Sequence, residues 1–202
     1  MCAYEYTCVY HAVMEEFHMN QSMSYWQIAG FLFTSIFGTI LHFLFDLSGQ
    51  SIGLALFSAV NESIWEHMKL IYYPMFLFAL VQRRFWGKKQ EHFWCIKLMG
   101  MLLGLMLIPV SYYTYIGILG VSSHWVNIAI FFVAAGASFW LENILFQRKK
   151  TCRLHSRAAF VLICMISALF TVFTFYPPQI PFFKDPISIM KRMVLLMKDF
   201  LY

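Results

Sequence analysis

Charge is what this chain has least of. Only 12% of its 202 residues are Asp, Glu, Lys or Arg, against about 25% in a typical soluble domain. Sixty per cent are hydrophobic and the mean hydropathy is +0.64. Together these values exclude a soluble globular protein and point to a chain made mostly of membrane spans. The net charge is +5, but there is no long basic run to make the solvated basic face that nucleic-acid binding requires. Residues 1–24 contain no Lys or Arg, so the basic lead of a secretory signal is missing. That segment carries Glu5, Glu15 and Glu16 and reads as a polar lead-in. The five cysteines (Cys2, Cys8, Cys95, Cys152 and Cys164) form no CxxC. Cys95 and Cys164 lie at or within apolar stretches and read as small core residues, which points away from a disulfide framework. No HExxH, glycine-rich phosphate loop or nucleophile elbow is present.

Aromatic residues are abundant, at 19% with 22 Phe, too many for a disordered chain. Five apolar stretches are predicted as spans. The first is Tyr25–Phe45, about 31 Å long as a helix and long enough for a bilayer. Its Gly30, Thr34 and Gly38 form a small-residue stripe that admits another helix. A polar turn, Asp46–Gln50, follows. The second stretch is interrupted near its middle, so we read a short apolar segment (Ile52–Val60), a break, and a helix from about Glu62 to Gln82. The third runs from Phe93 to Tyr113, with Gly100 and Gly104 as a packing face. The fourth covers about His124–Phe146 and the fifth Ala158–Tyr176, ended by Pro177 and Pro178. The predicted fold is an all-α polytopic transmembrane helical bundle of about five spans. Its second span is preceded by a short broken or re-entrant segment. The layout is a lead-in over 1–24, a transmembrane domain over 25–176, and a Pro-rich turn with an amphipathic tail over 177–202.

The scarce basic residues are not spread evenly. Segment 83–89 holds four and segment 147–157 holds five, while the turns at 46–50 and 114–123 hold none. The positive-inside rule then places the N-terminus in the cytoplasm and the C-terminus outside, in a multi-pass cell-membrane protein. Lys184, Lys191, Arg192 and Lys198 in the tail run against that orientation, but late charges weigh less than internal loops. The expected partners are the lipid bilayer and, through the Gly30/Gly38 or Gly100/Gly104 faces, a second copy or another membrane protein. Nucleic acid is not among them.

Two places put ionisable groups where apolar sequence should run unbroken. His42 and Asp46 are four residues apart and share a helix face. The second place is Asn61-Glu62-Ser63-Ile64-Trp65-Glu66-His67-Met68-Lys69. On one continuous helix Glu62, Glu66 and Lys69 form one stripe, and Ser63 and His67 the next. One reading is a polar cavity between the first two spans that binds an ion, a proton or a small ligand. The candidate ligand-binding residues are His42, Asp46, Asn61, Glu62, Ser63, Glu66, His67 and Lys69. Among them Glu66, His67, His42 and Asp46 are candidate metal ligands, since carboxylate and imidazole suit Zn, Mn or Fe. A second reading is a membrane-embedded hydrolase or transferase with His42 or Glu66 as base. A third is structural: Ser63 and Glu66 have capping-box spacing, Asn61 is an equally good cap, and Trp65 and Lys69 are ordinary interfacial anchors. Composition and spacing specify no cofactor. Elsewhere, Glu142 is expected to pair with Arg148, and His124 with Trp125 to anchor an interface.

The stretch Leu41-His-Phe-Leu-Phe-Asp46-Leu-Ser-Gly49, followed by Phe57-Ser-Ala-Val-Asn-Glu-Ser-Ile-Trp-Glu-His-Met-Lys-Leu70, resembles a family of small multi-pass membrane proteins. The family comes mostly from Gram-positive anaerobic bacteria and is known only as a domain of unknown function. Tyr112-Tyr-Thr-Tyr-Ile-Gly-Ile-Leu-Gly120 and Phe175-Tyr-Pro-Pro-Gln-Ile-Pro-Phe-Phe-Lys-Asp-Pro186 are also similar to it. The resemblance runs from about Trp26 to Pro186. It implies a bacterial cytoplasmic membrane and carries no activity, cofactor or partner. The chain departs from the pattern at both ends. Residues 1–24 are acidic and His-bearing where the family tends to start with a short basic segment, and a basic, Met-rich tail follows Pro186.

Overall fold

The structure is a computed structural model that describes residues 2–87, 90, 92–148 and 152–184, with side chains on the first helix described at Met14 and from Gln21 onward. The described residues form six α-helices, α1 (Cys2–Leu47), α2 (Ile52–Ala55), α3 (Ile64–Phe85), α4 (Phe93–Leu119), α5 (His124–Gln147) and α6 (Ser156–Phe175). A 3₁₀ turn over Pro181–Phe183 follows, and there is no strand among the described residues. Four segments are long and apolar enough to cross a membrane: Gln21–Leu47 of α1, and α4, α5 and α6. The predicted amphipathic tail over 187–202 lies outside the described residues.

Several boundaries differ from those expected. Helix α1 begins at Cys2, so its backbone runs through the polar lead-in without a break. The interrupted second stretch resolves into a single turn of helix, α2, and then turns and bends up to Ser63. Helix α4 continues six residues past Tyr113 and stops where Gly120 takes the left-handed conformation, φ 69°, a C-terminal geometry that glycine adopts without a Cβ penalty.

Helix α3 is the core of the bundle. Its Leu70, Ile71, Tyr72, Met75, Phe78 and Ala79 are all buried. It packs on α1 and α4, α5 lies against α1 and α4, and α6 against α4. The Tyr72 hydroxyl on α3 donates to the Ile163 carbonyl of α6, 2.5 Å away, and lies 2.9 Å from Ser167 Oγ. The outward faces of α1 and α6 expose Ile28, Leu32, Ile36, Val161, Met165 and Leu169. Such unbroken apolar faces suit contact with lipid.

The small-residue stripes are used inside the chain, which corrects their assignment to contacts with a partner. A Cβ at Gly30 would collide with Phe139 and Phe78, and one at Gly38 with Phe131 and the Leu70 carbonyl. Gly100 is filled by Glu142, and Gly104 by Ser138 and Ile71. Each glycine lets a bulky neighbour on another helix come close.

Two further expectations are corrected here. Cys95 and Cys152 form a disulfide that joins the start of α4 to the segment before α6, so Cys95 is not an isolated core residue. Glu142 on α5 pairs with Lys97 on α4 at 2.5 Å, both side chains being essentially inaccessible. The reason is position: Glu142 faces into the bundle, where Lys97 is one helix away and has no other acceptor. The ammonium also lies 5.4–5.8 Å from the ring centres of Phe78, Phe93, Phe139 and Phe146, within cation–π range.

Removing one partner of a buried pair strands the other, typically at about 3–5 kcal/mol, whereas replacing both with apolar groups is often nearly neutral. Lys97→Met should therefore lower the unfolding free energy in detergent by about that amount. Lys97→Met combined with Glu142→Leu should recover most of the loss in the same denaturant titration.

Candidate functional site

The helices alternate in direction, so the bundle has two distinct ends. One end carries Arg83, Arg84, Arg148, Arg153 and Arg157. The other brings together the C-terminal ends of α1, α4 and α6 and the N-terminal ends of α3 and α5. The Asn61–Lys69 motif lies at this second end.

Local capping splits the motif into two groups. Helix α3 starts at Ile64, with Ser63 as N-cap. The Ser63 hydroxyl accepts from the Glu66 amide at 3.4 Å. The reciprocal half of a capping box is missing, because the Ser63 amide donates instead to Asn61 Oδ1 at 2.9 Å. Glu62 therefore precedes the helix and does not continue the Glu66 and Lys69 stripe.

Glu66 and Lys69 point towards α6 and the α2 connection. Their ion pair is 2.6 Å long and almost wholly buried. The Lys69 ammonium also donates to the Ala55 carbonyl at 2.9 Å and to Thr174 Oγ1 at 3.0 Å. Glu66 Oε2 accepts from the Val60 amide at 2.9 Å, and its Oε1 lies 3.2 Å from the Thr174 hydroxyl. All three ammonium protons are used, and both carboxylate oxygens have partners. Trp65 beside them is enclosed by Phe170, Phe173 and Phe183, so the 3₁₀ turn closes this side of the bundle.

Glu62 and His67 go the other way, to α1. His67 Nε2 lies 3.4 Å from Glu62 Oε2, and His42 Nε2 lies 3.9 Å from Glu62 Oε1. The two imidazole ring centres are 5.3 Å apart. The donor atoms of His42, Glu62 and His67 all lie within 4.8 Å of one another. The His67 imidazole beside it holds the Glu62 carboxyl below the usual carboxylate range, with burial opposing it and His42 assisting.

These three residues line a cavity of about 430 Å³ between α1, α3, α4 and α5. Its other polar walls are Thr39, Tyr112, Ser122, His124 and Asn127, and its apolar walls include Ile108, Ile128 and Phe131. The Tyr115 hydroxyl donates to Asn127 Oδ1 and ties α4 to α5 at this end. Asp46, one turn beyond His42, is exposed and does not line the cavity.

Of the eight candidates, then, His42, Glu62 and His67 converge. Asn61 and Ser63 cap α3, Glu66 and Lys69 form a separate buried clamp, and Asp46 lies outside both groups. Sequence reasoning missed Lys97, although a lone Lys inside an apolar run needs a buried partner. It also missed His124 as a cavity residue, which no local pattern marks. Lys69→Met should lower unfolding stability by about 3–5 kcal/mol, since it leaves the Glu66 carboxylate buried and unpaired. The same titration should find Glu62→Gln much less costly, because the Glu62 side chain is 42% exposed.

No curated protein and no solved structure matches the chain significantly. A family of unknown function (DUF6512) matches residues 14–192, which takes in part of the lead-in and of the tail as well as the helical bundle. The chain belongs to that family.

Proposed function

We propose that the protein is a five-span membrane protein whose working site is the cavity at the end remote from the basic loops, where it binds an ion, a proton or a small ligand. Helix α3 serves as the central span. Its 22 residues reach about 33 Å, and its polar first turn is tolerated because protein covers it. The distribution of Lys and Arg supports a cytoplasmic N-terminus and an outer C-terminus in the cell membrane. In that orientation the cavity opens at the outer side.

The observation that carries this reading is the placement of three titratable side chains in the wall of one cavity. A structural role accounts for Asn61, Ser63, Glu66 and Lys69, whose hydrogen-bonding capacity is taken up by capping and clamping. It leaves the meeting of Glu62, His67 Nε2 and His42 unexplained, since the contacts among them are longer than well-formed hydrogen bonds. The hydrolase reading that used Glu66 as base has no geometric support, because that carboxylate is held by Lys69, Val60 and Thr174.

Orientation is tested with a membrane-impermeant maleimide in a background whose native cysteines are replaced by serine. Ser122→Cys should label in intact cells, and Arg153→Cys only after permeabilisation; the reverse pattern overturns the orientation. The site is tested by filling the cavity. Thr39→Trp and Ile128→Trp should each fail to complement a strain lacking the gene, whereas Val133→Trp, on an exposed face, should complement. Full complementation by both cavity-filling variants removes the cavity as the working site.

A further inference from the structure

We propose that His42, Glu62 and His67 bind one divalent transition-metal ion of the zinc class, with a coordination position left open towards the cavity. This names the occupant of the site proposed above and rests on that reading.

The argument begins with His67. Its Nδ1 lies 2.9 Å from the Ser63 carbonyl oxygen. A carbonyl oxygen only accepts, so Nδ1 carries the proton and donates. In the neutral ring Nε2 then presents a lone pair to Glu62 Oε2, itself an acceptor, at 3.4 Å. Two acceptors facing each other need a positive centre between them. A histidine whose Nδ1–H is bound to a backbone carbonyl, leaving Nε2 directed at the site, has the usual arrangement of a metal-ligating imidazole and its supporting partner.

His42 decides between a proton and a metal ion. A proton on His67 would satisfy the His67–Glu62 contact alone. His42 Nε2 would remain 3.9 Å from the carboxylate, outside hydrogen-bond range. Its buried Nδ1 has no hydrogen-bond partner among the described residues, so nothing else fixes the tautomer of this ring. A cation at the centre of the three residues takes a lone pair from each of them at once.

The donor set selects the class of ion. Two imidazoles and one carboxylate suit zinc and its neighbours in the first transition row, whereas Ca²⁺ and Mg²⁺ prefer oxygen ligands throughout. Bond lengths of about 2.0–2.2 Å around a tetrahedral ion place donor atoms roughly 3.3–3.6 Å apart. The His67–Glu62 spacing already has that value, His42 Nε2 lies 3.9 Å from the other carboxylate oxygen, and one donor atom from each residue lies within 4.8 Å of the others. Glu62 lies in the irregular segment before α3 and is 42% exposed, so it is free to close the gap. Three protein ligands leave a fourth position, as zinc sites that act on substrates do. His124 lines the same cavity.

The test uses the full-length protein in detergent, stripped with chelator and titrated with Zn²⁺ alone against a chromophoric competitor. One high-affinity Zn²⁺ per chain is expected. Glu62→Gln and His67→Ala should each weaken it by more than about 100-fold, above the roughly 10–100-fold cost of losing a supporting partner. His92→Ala and His155→Ala, at the opposite end, should leave it unchanged. A readout on the wild-type protein guards against misfolded variants: bound Co²⁺ should give the visible bands of a nitrogen- and oxygen-ligated ion without thiolate charge transfer. Absence of stoichiometric binding, a thiolate charge-transfer band, or affinity unchanged in the folded Glu62→Gln and His67→Ala variants overturns the proposal. If no Zn²⁺ binds while Thr39→Trp still fails to complement, the metal falls and the cavity reading stands. If Zn²⁺ binds at these residues while both cavity-filling variants complement, the cavity reading falls and the ion is structural.

Discussion

The Lys69 ammonium is fully buried, and the rest of this end of the bundle is arranged around satisfying it. An unpaired charge in the middle of a membrane helix costs about 2.5–3.5 kcal/mol on insertion scales. Lys69 has three protons to place, and the chain supplies Glu66 one turn earlier, the Ala55 carbonyl and the Thr174 hydroxyl. Those partners come from α3, the α2 connection and α6, so satisfying one ammonium fixes three segments. The carboxylate extends the same network to the Val60 amide, which ties down backbone that no helix or strand pairs. Irregular backbone at this depth is tolerated only when its polar groups are met in this way.

The position of the clamp also determines where the remaining polar groups go. Because the segment up to Ser63 is pinned, α3 begins at Ile64, and Glu62 is left outside the helix. Its carboxylate turns to His67, one helical turn into α3, and to His42 on α1. The motif therefore divides into a structural half facing α6 and a half facing α1 and the cavity. The two halves differ in how well they are satisfied. In the first, the charged atoms of the buried Glu66–Lys69 pair are taken up by one another and by Ala55, Val60 and Thr174. The second is partly exposed, and the contacts among His42, Glu62 and His67 are longer than good hydrogen bonds.

The fold was largely legible because its main signal is composition. Long apolar runs separated by basic or polar turns are strong markers, and the helices α4, α5 and α6 start within two residues of their expected positions. An interruption before α3 was legible for the same reason, since polar residues interrupt an apolar run, but it was expected after Val60 and the helical turn ends earlier, at Ala55. What could not be read was pairing between distant segments. Lys97 and Glu142 are separated by 45 positions, and Cys95 and Cys152 by 57. Only the antiparallel packing of α4 with α5, and the parallel placement of α4 beside α6, bring them together. The site was legible in outline and wrong in detail. Helical spacing put Glu62, Glu66 and Lys69 on one stripe, which assumes one continuous helix, and the Ser63 cap removes Glu62 from it. His124 was out of reach because its role comes from the α4–α5 turn and not from its neighbours in sequence.

The two buried ion pairs make the same point at opposite ends of the molecule. Lys97 is surrounded by four phenylalanine rings and bonded to Glu142, and the close approach is allowed by Gly100. Lys69 is held by three oxygens. Both are buried ion pairs, and breaking either leaves a charge stranded in apolar surroundings, at a cost of several kcal/mol. Such pairs hold helices in register and are poor places for binding or catalysis. A site that must accept and release an occupant needs the reverse: ligating atoms that are held in place and incompletely satisfied. Of the titratable groups described at the cavity end, His42, Glu62 and His67 meet both conditions. Access from a cavity, more than the presence of charge, is what separates this cluster from the two buried pairs.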